Sequence, residues 1–563
     1  KENRLKKKFH INSQANWKGE TLSKEVPNDV RDFFKKSSLT AKVLTIGGLT
    51  KNTCFIKNYS KIYCDELDLS KENIHLSIWS EFWDKDSKLT IKINDDSFEF
   101  KNIKNINNPT YTNDTWFDIS LKIKNKFEYI EVFCGNEEIY FAKPITYNSI
   151  KSLNKMNKNQ SNHVVLIILD GVVAEYFNND EKKTIDHIKF SSGIDTFFFN
   201  QFNTKYAFST CEWTLPGISS FFSGMYTSQH RISKPIGYNF YNDNLPSLPF
   251  TLNQNGYKTQ FFSTGNRTTP LFGFNKGFDR IFYSHPHGIT KSKFRTHDWI
   301  NNAIDFLNVY QNDKTFSYIH FPNTHQDWMT PGFQNLSFSL LRDDKLGFDL
   351  STIEENEAEK IEKIRIYELD LFLEALFNFI EKKISNNTTV ILTGDHGSPF
   401  YKKYSKKGKV TSFAEEIPVL NFKRTNVPFY CRTPNNIYKS KDISKMQLVS
   451  SNIDIAPTIL DVCKINKMNF TNGNSIFDEK KRDFIVSESI YKDLMEIAII
   501  SKEYSYFERF KFDQKKFQII DRKESLKMLY ETKNDYKENL IDKISTDKFK
   551  NILNLHIQDK FKN

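Results

Sequence analysis

The pattern of hydrophobic and polar residues changes character near residue 163. Before it, short segments alternate apolar with polar residues or are rich in β-branched and aromatic residues, and Asn, Asp or Gly separates them. They are HLSIWSEFW, KLTIKIND, SFEFKNI, WFDISLKIK and YIEVFCG, all between residues 65 and 146. Alternation with a period of two is typical of strands that bury one face. The pattern predicts an antiparallel β-rich unit, a small sandwich, over residues 1–150.

Beyond residue 163 the apolar runs become continuous. HVVLIILDG, KTFSYIHF and TTVILTGDHG have the composition of strands that are buried on both faces of a parallel sheet. DWINNAIDFLNVY and EKIRIYELDLFLEALFNFIEKK, which lie among them, have helical periodicity. Strands alternating with helices predict a doubly wound α/β domain at 163–485, behind a polar linker at 151–162. Residues 486–563 combine the strand patterns YSYFERFKF and KFQIID with the helical pattern KESLKMLYE, and predict a small C-terminal subdomain.

The charge, cysteine content and apolar runs of the chain limit the kinds of partner and compartment that we expect. Lys and Arg number 80 against 69 Asp and Glu, so the formal net charge is +11, which suits an anionic substrate or surface. No basic stripe with a nucleic-acid-binding motif is present, and we predict no nucleic-acid partner. The six Cys residues form no CxxC pair, so a reducing compartment is the simpler interpretation and a periplasmic one stays open. No apolar run is long enough to predict a transmembrane span.

Polar side chains with metal-binding chemistry follow three of the predicted parallel strands. They are Asp170, His320, Asn323, His325, Asp395 and His396. Ligands collect at the carboxyl ends of the strands in open α/β sheets. Each residue alone is compatible with an ordinary turn or a structural histidine. Two carboxylates and a histidine at the same edge predict a site for a divalent cation such as zinc or manganese.

The segment CEWTLPGISSFFSG, residues 211–224, offers five candidate nucleophiles where a strand should turn into a helix. They are Cys211, Thr214, Ser219, Ser220 and Ser223. Thr214 lies at the predicted helix start, where anions and developing negative charge are favoured. A bound divalent metal would lower the pKa of its hydroxyl and aim its oxygen. On this segment alone, a plain helix N-cap is the simpler interpretation of Thr214.

Several segments together resemble the alkaline phosphatase superfamily, specifically its sulfatase branch, over about residues 163–542. VVLIILDG is similar to the first metal-ligand strand, TLPGISSFFSGMYTSQHRI to the nucleophile segment, and IRIYELDLFLEAL to the helix before the DHG strand. LPSLPFTLNQNGYKTQFFSTGN with FGFNKGFD, and LKMLYETKNDYKENL, resemble two further family blocks. The resemblance implies a mostly parallel central sheet flanked by helices and a metal-dependent active site.

The departures from this family pattern concern the reaction. Sulfatases need a Cys or Ser, converted to formylglycine, with Arg four residues on, whereas this chain has Thr214 and Ile218. Cys211 stands three residues too early for that conversion, and Gly171 replaces the usual second Asp after the first strand. A threonine nucleophile is similar to the lipoteichoic acid synthase and phosphoethanolamine transferase types.

The resemblance also implies roles for further residues. His325 matches the family's substrate-oxygen ligand or acid, and His230 the histidine after the nucleophile helix. Lys407 or Lys409 matches a substrate-binding lysine, with a solvated loop charge as the alternative; Asn323 and His320 are further substrate-binding candidates.

The same comparison implies one metal ion. A second site is poorly supplied, because Asn323 stands where two-zinc members have Asp and the only later histidine is His556. The predicted ligands are Asp170, Thr214, Asp395 and His396. Zinc or manganese is favoured, with magnesium and calcium as alternatives.

The sequence thus predicts a metal-dependent phosphoester hydrolase or phosphotransferase that works through a covalent phosphothreonine on a glycan- or lipid-linked phosphate. The alternatives are a sulfatase that works without formylglycine and a non-catalytic member that binds anionic glycans. Trp79, Trp83 and Trp116 in the β-rich unit are candidates for carbohydrate contact, although core packing is the simpler role.

Overall fold

The computed structural model describes most of the chain. The described residues are 20–21, 27–46, 49–80, 88–101, 116–148, 159–178, 184–185, 188–189, 191–233, 241, 244–263, 268, 272–283, 296–325, 355–398, 418–434, 437–438, 449–469, 472–478, 482–491, 493–534 and 538–561. Lys407, Lys409 and Trp83 lie outside these ranges.

The chain divides into two compact units. Unit 1 consists of Lys1–Met156, Pro249–Pro286 and Asp305–Ser317, and unit 2 of Asn157–Leu248, His287–Ile304 and Tyr318–Asn563. The sequence pattern did not anticipate that two later segments belong with the N-terminal residues. The predicted linker lies largely outside the described residues, and its boundaries stay a prediction.

Unit 1 is built on a mostly antiparallel sheet. Its central strand, Leu49–Tyr63, pairs antiparallel with Ala41–Ile46 and with Tyr129–Ala142. The other strands are Glu20–Thr21, Asn73–Trp79, Lys88–Ile93, Asp96–Lys101, Phe117–Lys122, Ile145–Tyr147, Tyr257–Ser263 and Arg280–Tyr283, of which the last two pair in parallel. The helix Asn28–Lys35 buries Val30, Phe33 and Phe34, which belong to the same hydrophobic core as the inward-facing side chains of the strands.

The predicted β-rich character of this unit is confirmed, and all five predicted segments contribute strands. Trp79 and Trp116 are 2% and 7% exposed and pack in a small core cluster. The pattern missed Leu49–Tyr63 because its Asn and Lys residues have low β-propensity. Asn58 in this strand has a φ of 64°, and the register with the neighbouring strand shifts there.

Unit 2 contains the predicted parallel strands. His163–Leu169 pairs in parallel with Thr388–Gly394, and the end of the strand Lys314–Phe321 lies on its other side. Phe429–Arg432 and Phe202–Asn203 extend the sheet with antiparallel pairing. Two further pairs of short strands precede residue 480. Ala207–Phe208 pairs in parallel with Ser450–Ser451, and Thr184–Ile185 pairs antiparallel with Ile188–Lys189.

Helices of unit 2 surround this sheet in the chain order expected of an α/β fold. The α-helices are Glu175–Asn178, Ser192–Phe197, Thr214–Ser223, Thr227–His230, Glu355–Phe379, Phe422–Thr425, Ile455–Val462 and Asp547–Lys560. A π-helical turn, Ile380–Ile384, continues the longest helix, and short 3₁₀ turns lie at Pro322–Thr324, Ser385–Asn387, Asn452–Asp454 and Thr532–Asn534. Leu248–Gln254 and Thr296–Val309 are helices whose residues are divided between the units.

The C-terminal residues form a four-stranded antiparallel sheet with a helix, and one prediction there is wrong. The strands are Phe484–Tyr491, Leu494–Ser501, Tyr504–Asp513 and Gln518–Glu531. The segment KESLKMLYE, predicted as helix, lies in the last strand, with Tyr506 opposite Leu529. Its Lys, Glu, Leu and Met residues favour helices intrinsically, but pairing with the neighbouring strand and burial of Met528 and Leu529 override that preference.

All six cysteines are free and buried. Over the described ranges, no helix combines the length and the hydropathy that a bilayer crossing requires.

Candidate functional site

Two parallel strands bring the carboxylates of unit 2 together. The register pairs His163 with Thr388 and Leu169 with Gly394, so Asp170 and Asp395 follow neighbouring strands at the same level. The Oδ1 atom of Asp395 accepts hydrogen bonds from the backbone N–H groups of Gly171 at 3.0 Å and His396 at 2.8 Å. The turn after each strand therefore fixes the orientation of the Asp395 carboxylate.

The backbone at Gly171, the position where the sequence resemblance implies a second Asp, disfavours a side chain. Its φ is +63°, which L side chains rarely adopt. A Cβ atom there would lie 3.3 Å from His325 Cδ2 and 3.4 Å from His396 Cε1. A longer side chain at this position would therefore push against both imidazole rings.

Thr214 is the first residue of the helix Thr214–Ser223, and the N-cap position belongs to Trp213, whose backbone is extended. The Thr214 Oγ1 atom lies 3.4 Å from Asp170 Oδ1 and 3.3 Å from His396 Nε2. A Cβ atom on Gly217, one turn later, would lie 3.1 Å from the backbone oxygen of Asp395, so this glycine permits the close approach of the helix. The plain N-cap interpretation of Thr214 does not fit this geometry.

The other four candidate nucleophiles of this segment are engaged elsewhere. Ser219 Oγ donates to Leu215 O at 2.8 Å and Ser223 Oγ to Ser219 O at 2.6 Å, both within the helix. Ser220 Oγ lies 3.3 Å from His230 Nε2. The Cys211 thiol is fully buried, and burial raises its pKa, which disfavours the nucleophilic thiolate.

Two histidines face the carboxylates, one near the end of the strand Lys314–Phe321 and one after the 3₁₀ turn that follows it. His320 is 1% exposed, and its Nε2 atom lies 3.5 Å from Asp170 Oδ2 and 3.9 Å from Asp395 Oδ2. His325 follows the 3₁₀ turn and is partly exposed, with its ring centroid 6.3 Å from that of His396. The substrate-binding role predicted for His320 stays a prediction; the structure places its Nε2 atom in a group with Asp170 and Asp395 that could hold a metal ion.

These side chains fit a divalent cation. Two overlapping groups, Asp170 with His325 and His396, and Asp170 with His320 and Asp395, each present donor atoms within 4.8 Å of one another. The buried Oδ2 atom of Asp395 has no hydrogen-bond partner among the described residues. An unpartnered carboxylate oxygen is costly in a protein interior and is offset by a cation.

The spacing of the donor atoms supports the same conclusion. His396 Nε2 lies 3.5 Å from Asp170 Oδ1 and 3.6 Å from Asp395 Oδ2, close to its 3.3 Å distance from Thr214 Oγ1. Tetrahedral N and O ligands at about 2.1 Å from a zinc ion lie about 3.4 Å apart. The His396 Nδ1 atom is 2.7 Å from the backbone oxygen of Gly397, which orients Nε2 toward the other donors.

Within the cluster, the carboxylates and the histidines shift one another's pKa values. Burial alone would raise the pKa of Asp170, but the neighbouring His325, His396 and His320 hold it below its usual value. Burial and the charge of Asp170 raise the pKa of Asp395. Burial alone would lower the pKa of His396, but the Asp395 and Asp170 carboxylates raise it to about 9.

Two further predicted residues, His230 and Asn323, and the C-terminal His556 have other partners. His230 is buried, with its Nδ1 atom accepting from Ile232 N at 3.0 Å, and burial lowers its pKa to about 3. Asn323 is buried and donates its side-chain amide to Thr296 Oγ1 at 2.9 Å. His556 lies in the terminal helix, 2.6 Å from Glu488 Oε1. The roles predicted for His230 and Asn323 stay predictions, and those for Lys407 and Lys409 concern residues outside the described ranges.

The sequence did not predict the residues that hydrogen-bond to the backbone of Asp395 and His325. Asn452 Nδ2 and Ser209 Oγ donate to the backbone oxygen of Asp395, at 3.0 and 2.5 Å. Arg365, in the long helix, donates from NH1 to the backbone oxygen of His325 at 3.0 Å. None of these positions carries a motif, and only the position of Arg365 in a segment with helical periodicity was a usable signal.

Several solved structures are similar to this chain in fold. Similar solved structures include a Bacteroides thetaiotaomicron protein described with the metabolism of multiple glycosaminoglycans (TM-score 0.52, 14% identity, 71% of this chain and 96% of that one). Another was solved with its substrate D-glucosamine-2-N,6-O-disulfate (TM-score 0.52, 15% identity, 71% and 98%). A third is a phosphonate monoester hydrolase from Silicibacter pomeroyi (TM-score 0.52, 12% identity, 71% and 95%). At these identities, the similarity shows the fold alone.

The sequence itself gives a closer assignment. No curated protein matches the chain. The model of the sulfatase family matches residues 162–465, more than half of the chain, and includes Asp170, Thr214, Asp395 and His396. The α/β sheet, the N-terminal β-rich region and the donor cluster after the parallel strands agree with this match. The chain therefore belongs to the sulfatase family.

Proposed function

We propose that this sulfatase-family protein is a metal-dependent phosphoester hydrolase or phosphotransferase whose nucleophile is Thr214. One observation carries the proposal. The hydroxyl that contacts Asp170 and His396 belongs to a threonine, which formylglycine formation cannot use. Ile218 stands where that chemistry needs an arginine, and the nearby Cys211 is buried with a raised pKa.

The metal set follows from the donor atoms. Asp170, Asp395, His396 and Thr214 would hold one divalent ion, with His320 close enough to complete or support the set. Imidazole nitrogen favours zinc or manganese over calcium, which prefers an all-oxygen shell. Such an ion supplies charge that lowers the pKa of a hydroxyl and stabilises phosphoryl oxygens.

The residues of the chain then have distinct roles in the reaction. The Thr214 hydroxyl gives its proton to water, and its oxygen forms the new bond to phosphorus while the bond to the leaving oxygen breaks on the opposite side. His325, partly exposed beside His396, donates a proton to the leaving oxygen. Water or an acceptor hydroxyl next attacks the phosphothreonine and gives its proton to His325. The bond from phosphorus to the Thr214 oxygen breaks, and that oxygen regains a proton from water. The nature of that acceptor distinguishes a hydrolase from a transferase.

A glycan- or lipid-linked phosphate is the proposed substrate class. The net charge of +11 favours an anionic substrate. Two of the similar solved structures are described with glycosaminoglycans or a sulfated glucosamine, and a third hydrolyses phosphonate monoesters. The first two of these structures favour a rival function, the hydrolysis of sulfate esters. The following experiment distinguishes that function from phosphoester hydrolysis.

The test is to trap the covalent enzyme. Zinc- or manganese-loaded protein is incubated with bis-p-nitrophenyl phosphate, p-nitrophenyl phosphate and p-nitrophenyl sulfate, quenched in acid and mapped by mass spectrometry. We expect turnover of a phosphoester and a phosphoryl mass on the peptide that contains Thr214. Thr214→Ala should abolish both, while Thr214→Ser keeps a hydroxyl and part of the activity. Turnover of the sulfate alone, or a label on another residue, would contradict the proposal.

A further inference from the structure

Three cross-strand pairs of aromatic rings line one face of the sheet in unit 1. Phe55 stands opposite Tyr140, Tyr59 opposite Phe133 and Tyr63 opposite Tyr129. Their ring centroids are 5.4, 4.5 and 5.8 Å apart, respectively. We call these six residues the aromatic stripe. The register shift at Asn58 lies between its first and second pairs.

The stripe lies on the face of the sheet opposite the hydrophobic core. Side chains alternate between the two faces of a strand, and the residues next to the stripe point into the core. These neighbours are Cys54, Ile56, Ile62, Cys64, Ile130, Val132, Cys134, Ile139 and Phe141, all buried. The rings of the stripe are partly exposed, and Tyr59 is 41% exposed. Tyr140 also packs against Trp79, with ring centroids 5.7 Å apart, at the edge of a small buried cluster.

Lysines accompany the rings on both sides of the stripe. Lys42, on the strand Ala41–Ile46, places Nζ 5.3 Å from the Phe55 ring centroid and 5.5 Å from that of Tyr140. Lys92, on the strand Lys88–Ile93, lies 5.1 Å from the Phe133 ring, and Lys61 lies 4.0 Å from the Tyr129 ring. Ammonium groups above aromatic faces are stabilised there and stay hydrated and positively charged.

Two glutamates limit the positive charge of this face without removing it. Tyr59 donates its hydroxyl to Glu131 Oε1 at 2.7 Å, and Lys61 lies 3.8 Å from the same oxygen. Glu138 pairs with Lys57 at 3.1 Å. Lys92 stands opposite Glu131 in the register. Lysines still outnumber these two glutamates around the stripe, and the excess sets this face at positive potential; the lysines are Lys42, Lys57, Lys61 and Lys92.

We propose that the aromatic stripe binds an anionic glycan chain. The C–H faces of sugar rings are apolar and stack on partly exposed aromatic rings, while the flanking ammonium groups attract sulfate, phosphate or carboxylate substituents. The proposal rests on the proposed function only in the choice of a glycan rather than another polyanion. The stripe would bind the polymer independently of the chemistry at Thr214.

The test is affinity electrophoresis of the full chain carrying Thr214→Ala, so that binding is measured without turnover. The gels contain heparin, chondroitin sulfate, neutral dextran or poly(dT). We expect retardation by at least one sulfated glycan and none by dextran. Tyr59→Ala with Phe133→Ala should weaken that binding about tenfold, because a stacking pair is removed. The matched control is Phe199→Ala, an aromatic residue of unit 2 that is 71% exposed.

A second variant separates charge from stacking. Lys42→Gln with Lys92→Gln keeps every ring, and should reduce both the retardation and its dependence on salt. This variant also keeps the proposal testable if the ring variant fails to fold. Unchanged retardation in the folded variants, tighter binding of poly(dT) than of either glycan, or a stripe-dependent dimer in sedimentation without glycan binding would overturn the proposal. Because turnover is not measured, failure of the phosphoester chemistry would leave this result intact.

Discussion

Two clusters of titratable side chains, one in each unit, both contain Asp and His but differ in the basic residues that accompany them. In unit 1, Lys51 Nζ lies 2.8 Å from Asp118 Oδ1, and Arg280 NH2 lies 3.0 Å from His75 Nε2. In unit 2, Asp170 and Asp395 contact histidines, and among the described residues neither carboxylate pairs with Lys or Arg. The first cluster is neutralised by its own chain, whereas the second lacks a strong cation.

The pKa values of His75 and His396 differ in line with their surroundings. Burial lowers the pKa of His75 to about 4, and the nearby Arg280 and Lys51 contribute in the same direction. Burial acts in the same direction on His396, but two carboxylates raise its pKa to about 9. A cluster whose charges balance internally can be structural, whereas one with excess carboxylate needs a cation from solution. This difference, more than the presence of Asp and His, is our reason for placing the candidate metal site in unit 2.

The sharpest test makes the same substitution in both clusters. Asp395→Asn removes the charge of the unpartnered oxygen but keeps its shape. We expect loss of stoichiometric zinc or manganese in metal analysis and a fall in turnover of about 10³-fold or more, since a ligand is lost from a small set.

Asp118→Asn is the matched control in unit 1. It should leave metal content unchanged but destabilise unit 1 by about 1–2 kcal/mol, because Lys51 loses its partner while the 41% exposed Asp118 is partly screened by water. Full metal occupancy in Asp395→Asn would refute the distinction between the clusters.

The pH dependence of unit 1 should be dominated by His75. Its folded pKa of about 4 lies below the ordinary 6.5, so the unfolded chain binds a proton that the folded chain excludes. Stability should therefore fall as the pH drops from about 6.5 to 4, by up to about 3 kcal/mol. Hydrogen exchange of the strand Asn73–Trp79, corrected for intrinsic rates, measures this fall. His75→Gln should flatten the profile, and an unchanged profile would assign the effect to other groups.

A smaller effect is expected at the turn of the metal centre. Gly171→Ala places a Cβ atom 3.3 Å from His325 at a φ of +63°, and should weaken metal binding about tenfold by displacing the rings. Gly135→Ala is the matched control, because its φ is +64° with no atom within 4 Å of the added Cβ. Isothermal titration with zinc compares the two variants, and equal affinities would remove the contact argument.

The smallest effect should come from the cysteine beside the nucleophile. Cys211→Ala should keep turnover within about twofold of wild type, because a buried thiol with a raised pKa is a poor nucleophile. Cys431→Ala, at another buried thiol with a raised pKa, controls for the loss of a buried side chain. Steady-state kinetics with the phosphoester used in the trapping experiment compares the turnover of the two variants. A large loss confined to Cys211→Ala would transfer the nucleophilic role to that residue.

Much of the candidate site could be predicted from local sequence. Asp170 and Asp395 with His396 follow continuous apolar runs, and the carboxyl ends of parallel strands meet at one edge. Thr214 precedes Pro216 at a helix start. The position of His320 between the carboxylates could not be predicted, because it depends on which strand lies beside His163–Leu169. Nor could the conformation of Gly171, which reflects the two rings packed against it.

By itself, the sequence determined the kinds of element, the fold class and the chemistry of the strand ends, because periodicity and side-chain type act over a few neighbouring residues. The tertiary structure decided which elements became neighbours. It placed residues 249–286 and 305–317 with the N-terminal strands and turned KESLKMLYE into a strand. It also set the register that pairs Tyr59 with Phe133, and it placed Asp395 beside histidines, whereas Asp118 pairs with Lys51. These outcomes depend on contacts between residues far apart in the chain, whose burial and pairing energies override local preference.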